Sequence, residues 1–192
     1  LYSGFWKIHK WTSTKRVWSM KNQDPPREYL EPIIDNFNKG KLNQALSDVN
    51  KILKKFPNSI VLYNISGACN AGLMEFDAAI ASYREALRIK PDYADAYYNM
   101  GIAYRDKGDL ESAIDSYKEA LKIKPDYAAV FYNMGNILKN QGNLEAAIDS
   151  YKEALKIKPG YAEAYFNMGN ILKNQGNLES AIDSYKKSLK IK

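Results

Sequence analysis

The sequence predicts an all-α fold built as an array of repeated helix pairs, and three observations carry that prediction. Pro57, Pro91, Pro125 and Pro159 stand 34 residues apart, a fixed period of the length that marks repeat architectures. Small residues recur in the same register, first as Gly67, Gly101, Gly135 and Gly169, then as Ala45, Ala79, Ala113, Ala147 and Ala181. Apolar side chains fall at helical spacing around them: Phe131, Met134, Gly135 and Leu138, then Leu144, Ala147, Ile148, Tyr151, Ala154 and Leu155. That is the pattern of two amphipathic helices per unit.

In chain order, residues 1–25 form an extension and five units follow at 26–59, 60–93, 94–127, 128–161 and 162–192. The extension holds Lys7, Lys10, Lys15, Arg16 and Lys21 against Asp24 alone, interleaved with Trp6, Trp11 and Trp18. It has no apolar core or small-residue cleavage site of a secretory signal. Bases among aromatics suit a lipid surface or single-stranded nucleic acid, but no helical stripe organises the tryptophans, so a linker is the preferred reading. The first unit diverges, with Pro32 inside its first helix and Ile33 at the glycine position; a kinked or late-starting helix is expected. The second unit puts Ser66 and Asn70 at usually apolar positions and Met74 where Gly108, Gly142 and Gly176 follow, so its first helix should be the least regular of the interior ones. In the later units Gly142 ends the first helix and Asn143 is placed to cap the second, while Pro159 stops its continuation. A mid-helix glycine costs about 1 kcal/mol against alanine, and close approach to an alanine of the second helix is the expected compensation.

Composition bounds the function. Of 192 residues, 45% are hydrophobic and 26% charged, ordinary values for a packed globular chain, and no run has the roughly 18 to 20 apolar residues of a membrane helix. The net charge of +6 owes much to the extension, so no specific nucleic-acid partner is implied. One cysteine, Cys69, excludes an internal disulfide and fits a reducing, cytoplasmic setting; it reads as a small buried hydrophobe. With His9 the sole histidine, and neither a phosphate-binding loop nor a metal motif present, no catalytic residue, cofactor or metal site is expected. Asp115, Glu119, Asp149 and Glu153 alternate with lysines as a solvated face of the second helices.

Period, small residues, Tyr29, Tyr63, Tyr97, Phe131 and Tyr165, then Tyr83, Tyr117, Tyr151 and Tyr185, and the closing prolines together make residues 26–192 resemble the tetratricopeptide repeat. The resemblance implies an α-solenoid, a right-handed superhelix of helix-turn-helix repeats with first helices lining a concave groove. It implies a non-catalytic scaffold for a protein or peptide partner. The apolar outer face of the last pair has no solvating helix in the sequence, so more chain is expected beyond Lys192, with self-association through that uncapped repeat as the other outcome.

The segment NMGNILKNQGNLE occurs twice, at 133–145 and 167–179. Asn133, Asn136 and Asn140, and then Asn167, Asn170 and Asn174, share a helical face at i, i+3 and i+7; Asn99 holds the first place in the third unit, before Ile102 and Asp106. In the family's geometry this face lines the groove, beside Tyr98, Tyr132 and Phe166 and beside Arg105, Lys139 and Lys173. Carboxamides can pair with both groups of an extended peptide backbone, aromatics add apolar contact, and the bases can reach acidic side chains. The alternative is a solvated helix surface copied with the repeat. These two units are most similar to the repeats of O-linked N-acetylglucosamine transferases, whose asparagine ladder holds protein substrates and is matched by Asn99, Asn133 and Asn167. That likeness makes the substrate-recruiting arm of a larger transferase the second functional reading. A clamp for chaperone tail carboxylates is disfavoured, because Tyr98, Tyr132 and Phe166 stand where it needs a lysine, and Asp95 and Glu163 where it needs bases.

Overall fold

The structure is a computed structural model that describes residues 24–191; the basic, tryptophan-bearing stretch lies outside them except for its last two residues. Among the described residues there are ten helices and no strand. They run α1 (Arg27–Asn38), α2 (Leu42–Leu53), α3 (Ile60–Gly72), α4 (Phe76–Ile89), α5 (Ala94–Lys107), α6 (Leu110–Ile123), α7 (Ala128–Asn140), α8 (Leu144–Ile157), α9 (Ala162–Asn174) and α10 (Leu178–Ile191). The chain divides within α6, after Ala113, into two compact units. In the first, α1 to α5 pack in sequence; in the second, α7 lies on α8, α8 on α9 and α9 on α10.

The second helices α4 and α8 each bury one small and one aromatic position: Ala79 with Tyr83 in α4 and Ala147 with Tyr151 in α8, all 0% exposed. The first-helix glycines exist for those rings. A Cβ on Gly67 would stand 2.5 Å from Tyr83, on Gly135 2.7 Å from Tyr151 and on Gly169 2.8 Å from Tyr185, closer than any side chain tolerates. The expected glycine-to-alanine approach is therefore corrected: the compensation for the helical cost of glycine is the burial of a whole tyrosine ring. The first pair solves the same space differently. Ile33 and Val49, at the corresponding two positions, are 1% and 0% exposed within one cluster, two mid-sized side chains replacing none and a large one.

Two further expectations change. The late start foreseen from Pro32 is absent: α1 begins at Arg27, directly after Pro26, and carries Pro32 inside it on an exposed position. Nor is α3 irregular. It runs unbroken for 13 residues, capped at its start by Ser59 and with its inserted Ser66 hydrogen-bonded. Ser59 Oγ accepts from the Leu62 N–H at 3.2 Å and donates to the Asp24 carboxylate at 2.6 Å, and the Ser66 and Ser82 hydroxyls pair at 3.1 Å. Met74 adopts φ +64°, the left-handed conformation that Gly108, Gly142 and Gly176 adopt at φ +94°, +80° and +80°. Asn143 occupies the cap position of α8, but its side chain makes no capping hydrogen bond; Asp109, by contrast, accepts from the Ser112 N–H at 3.1 Å at the start of α6.

The turns between pairs are fixed by a lysine over the tyrosine three residues later, Lys124 Nζ 4.3 Å from the Tyr127 ring centre and Lys158 Nζ 4.5 Å from that of Tyr161. Such cation–π contacts are worth about 0.5–1 kcal/mol at exposed sites. Cys69 is wholly buried, and burial pushes its thiol up to about 11.

Candidate functional site

The first helices carry their asparagines on two different surfaces. Asn99 lies at i, i+3 and i+7 with Ala96 and Ala103, Asn133 with Val130 and Ile137, and Asn167 with Ala164 and Ile171, and the flanking residues of all three stripes are buried. Asn133 itself is only 7% exposed, whereas Asn140 and Asn174 are exposed. The single lining expected from the spacing is therefore split: Asn133 belongs to a buried seam, Asn140 to the surface, and Asn136 lies between them, half-buried.

Asn99 and Asn167 reach backward to the preceding first helix. Asn99 Nδ2 donates to Asn64 Oδ1 at 3.1 Å. In the second compact unit, Asn167 Nδ2 donates to Asn136 Oδ1 at 2.9 Å and to the Tyr132 hydroxyl at 3.2 Å. Asn136 Oδ1 also accepts the Tyr151 hydroxyl at 2.7 Å, so one carboxamide oxygen joins α7 to its own second helix and to the next repeat. Asn170 Oδ1 accepts the corresponding Tyr185 hydroxyl at 2.8 Å. Burial, reinforced by Tyr132, holds the Tyr151 hydroxyl well above the ordinary tyrosine range, so it remains a donor at any physiological pH. Asn64 was not foreseen: it lies 35 residues before Asn99, one out of register with the period, and only the hydrogen bond reveals it.

The aromatic positions also divide. Tyr132 packs against Tyr151 and Tyr161, with ring centres 5.9 and 4.8 Å away. Phe166, its counterpart one repeat on, has Tyr185 at 5.8 Å and is 51% exposed. Tyr98 is half-buried. Among the bases, Arg105 pairs with the adjacent Asp106 at 2.7 Å, while Lys139 and Lys173 sit beside Asn140 and Asn174 at the ends of α7 and α9. An open groove of about 640 Å³ runs between α8, α9 and α10, past Ile148, Lys152, Met168, Leu172, Ser180 and Asp183. Among the described residues no group of three or more His, Cys, Asp or Glu side chains could hold a metal ion, and no helix is long and apolar enough to cross a membrane.

The family model described as TPR repeat matches residues 75–105, 103–142 and 135–176, and the one described as tetratricopeptide repeat matches 162–192. The chain belongs to the tetratricopeptide-repeat family. Among curated proteins it is 39% identical over 70 residues to a probable UDP-N-acetylglucosamine–peptide N-acetylglucosaminyltransferase SEC of Arabidopsis thaliana. That match takes in 36% of this chain and 7% of the relative's length. Among solved structures, MamA superimposes with a TM-score of 0.73 at 27% identity, covering 82% of this chain and 92% of that one. YrrB, described as a TPR protein with an unusual peptide-binding site, has a TM-score of 0.65 at 20% identity over 89% and 88% of the two chains, a likeness of fold alone.

Proposed function

We propose that this chain is a non-catalytic scaffold whose first-helix faces hold an extended, acidic segment of a partner protein. The observation that carries the reading is a difference between two sets of lysines. On α6 and α8, lysines are matched by a carboxylate of their own helix: Lys118 by Asp115, Lys122 by Glu119, Lys152 by Asp149 and Lys156 by Glu153. On the first helices, no described carboxylate forms an ion pair with Lys139 or Lys173. Cations without an internal partner, beside the exposed amides of Asn140 and Asn174, suit a ligand that brings its own carboxylates and backbone groups. In this reading Asn136, Asn167 and Asn170 hold the helices in register, and Tyr132 and Phe166 border the ligand.

Fluorescence anisotropy with a labelled Ser-Asp repeat peptide and its Ser-Asn counterpart tests it. The acidic peptide should bind more tightly, and Lys139→Ala with Lys173→Ala should weaken it about tenfold, or about 1.4 kcal/mol, at an unchanged melting temperature. Equal affinity for both peptides would sink the proposal. The identity to the Arabidopsis transferase favours a second reading, in which the same faces recruit substrates for a glycosyltransferase on the same polypeptide. The transcript beyond the codon for Lys192 decides it: a glycosyltransferase domain supports this reading, and a stop codon or further repeats alone removes it.

A further inference from the structure

Tyr132, Asn136 and Lys139 fall at i, i+4 and i+7 on α7, and Phe166, Asn170 and Lys173 hold the same places on α9. That spacing sets an aromatic ring, a carboxamide and an ammonium along one side of each helix. The three α7 residues are half-buried with α9 beside them, so a following helix leaves their tips accessible. Asn167 Nδ2, bonded to both Asn136 and the Tyr132 hydroxyl, holds α7 and α9 directly side by side, which for packed helices means axes about 8–10 Å apart. Within each helix, seven residues separate ring from ammonium by about 10 Å. The face is therefore two parallel rows, Tyr132 with Phe166 and Lys139 with Lys173, and Asn136 and Asn170 lie between them.

We propose, resting on the acidic-ligand reading above, that the bound segment is a polyproline II helix with a carboxylate at every third residue. The spacing of the rows selects it. A polyproline II helix rises about 3.1 Å per residue with three residues per turn, so side chains at i and i+3 share a face about 9.3 Å apart. In a β-strand the side chains of one face recur about 6.7 Å apart at i+2 and about 13 Å apart at i+4, and i+3 points to the opposite face. Neither strand spacing matches the helix separation, so a strand could offer a well-placed carboxylate to one lysine only. Laid across α7 and α9 between the rows, a polyproline II helix turns one of its three faces to Lys139 and Lys173 and a second to Tyr132 and Phe166. The third stays in water. Carboxylates belong on the first face, where they meet the ammonium groups. Proline belongs on the second, since its ring packs on aromatic side chains and its fixed φ lowers the cost of ordering the segment. A repeating triplet of an acid, a proline and a third residue of any kind then uses both lysines and both rings.

Fluorescence anisotropy with the full chain and labelled synthetic peptides tests the spacing. An Asp-Ala-Pro repeat peptide should bind about tenfold tighter than an isomer of the same composition whose aspartates stand at alternate positions, and tighter than an Asp-Ala-Gly repeat. Lys139→Glu with Lys173→Glu should transfer the spacing preference to a Lys-Ala-Pro repeat and its isomer. Phe166→Ala, with helical circular dichroism unchanged, should weaken capture of the Asp-Ala-Pro peptide by about threefold. If the isomer binds as tightly as the triplet repeat while both exceed a neutral Asn-Ala-Pro repeat, the polyproline II assignment falls and the acidic-ligand reading stands. If the Asn-Ala-Pro repeat matches the Asp-Ala-Pro repeat, both fall. A glycine repeat that binds as tightly as the proline repeat would also overturn the assignment.

Discussion

Helices α8 and α10 are the same 14-residue sequence at all but three positions, Ala146, Glu153 and Ala154 becoming Ser180, Lys187 and Ser188. In α8 the stripe of Leu144, Ile148, Tyr151 and Leu155 is packed against a neighbour, and its counterpart in α10 is not. Leu155 is 8% and Leu189 73% exposed, and Tyr151 is fully buried where Tyr185 is not. None of the three substitutions lies on the stripe. Ser188 faces inward, its hydroxyl donating to the Ala162 carbonyl at 2.9 Å, and Lys187 lies 5.8 Å from the Tyr165 ring centre. Burial in a repeat array is thus a property of the neighbour as much as of the helix that is buried.

That contrast can be broken or sharpened by matched substitutions followed by urea denaturation. The largest gap is expected between the tyrosines: Tyr151→Ala should cost about 3–5 kcal/mol and Tyr185→Ala about half of that, and equal costs would break the comparison. Gly135→Ala drives a Cβ to 2.7 Å from the Tyr151 ring and should cost about 1–3 kcal/mol. Tyr151→Leu in that background, by shrinking the ring's claim on the space, should recover part of it. Next come the carboxamides. Asn136→Ala strands two donors and should cost about 1–3 kcal/mol, while Asn170→Ala, which strands the Tyr185 hydroxyl alone, should cost less. Leu189→Ala should stay within about 0.5 kcal/mol, against about 2–4 for Leu155→Ala.

A pH titration gives an independent measure of the buried side. Burial raises the hydroxyls of Tyr83 and Tyr151, and that of Tyr93 to about 12, where Asp95 and Asp24 add to the effect. A folded-state value above the unfolded one means stability that is fully present below the ordinary tyrosine value of about 10 and lost as pH rises towards the folded value. Thermal melts should therefore fall steeply between about pH 10 and pH 12, and Tyr93→Phe should flatten the curve. At the acid end, hydrogen bonds from Gln44 and then Lys51 hold Asp48 below the usual aspartate value, and Ser112 does the same for Asp109. Their contribution is present above about pH 4 and disappears as pH falls through the lowered values.

The helix pairs, the buried alanines and tyrosines and the place of each turn were legible because a 34-residue period repeats the same local pattern without a gap. What the period could not supply was partner choice. The sequence pairs Gly135 with an alanine because both are small, yet the pairing that fills space is smallest against largest. Helical spacing alone puts Asn133, Asn136 and Asn140 on one face; Asn133 is buried because a helix in a stacked array meets neighbours on more than one side. Asn64 escaped because it is one residue out of register. Ser66 of α3 reads as a fault in the sequence because its partner, Ser82, is not near in sequence.

The exchange of Gly and Tyr for Ile33 and Val49 has an evolutionary consequence. Moving between the two solutions one substitution at a time passes through either a void, glycine facing valine, or a clash, isoleucine facing tyrosine; both are destabilising, and the two sites are coupled because they share one space. A crossover that joined the first helix of one type to the second helix of the other would land on such an intermediate. Exchange of whole helix pairs along the array avoids that cost, whereas a breakpoint inside the first pair incurs it.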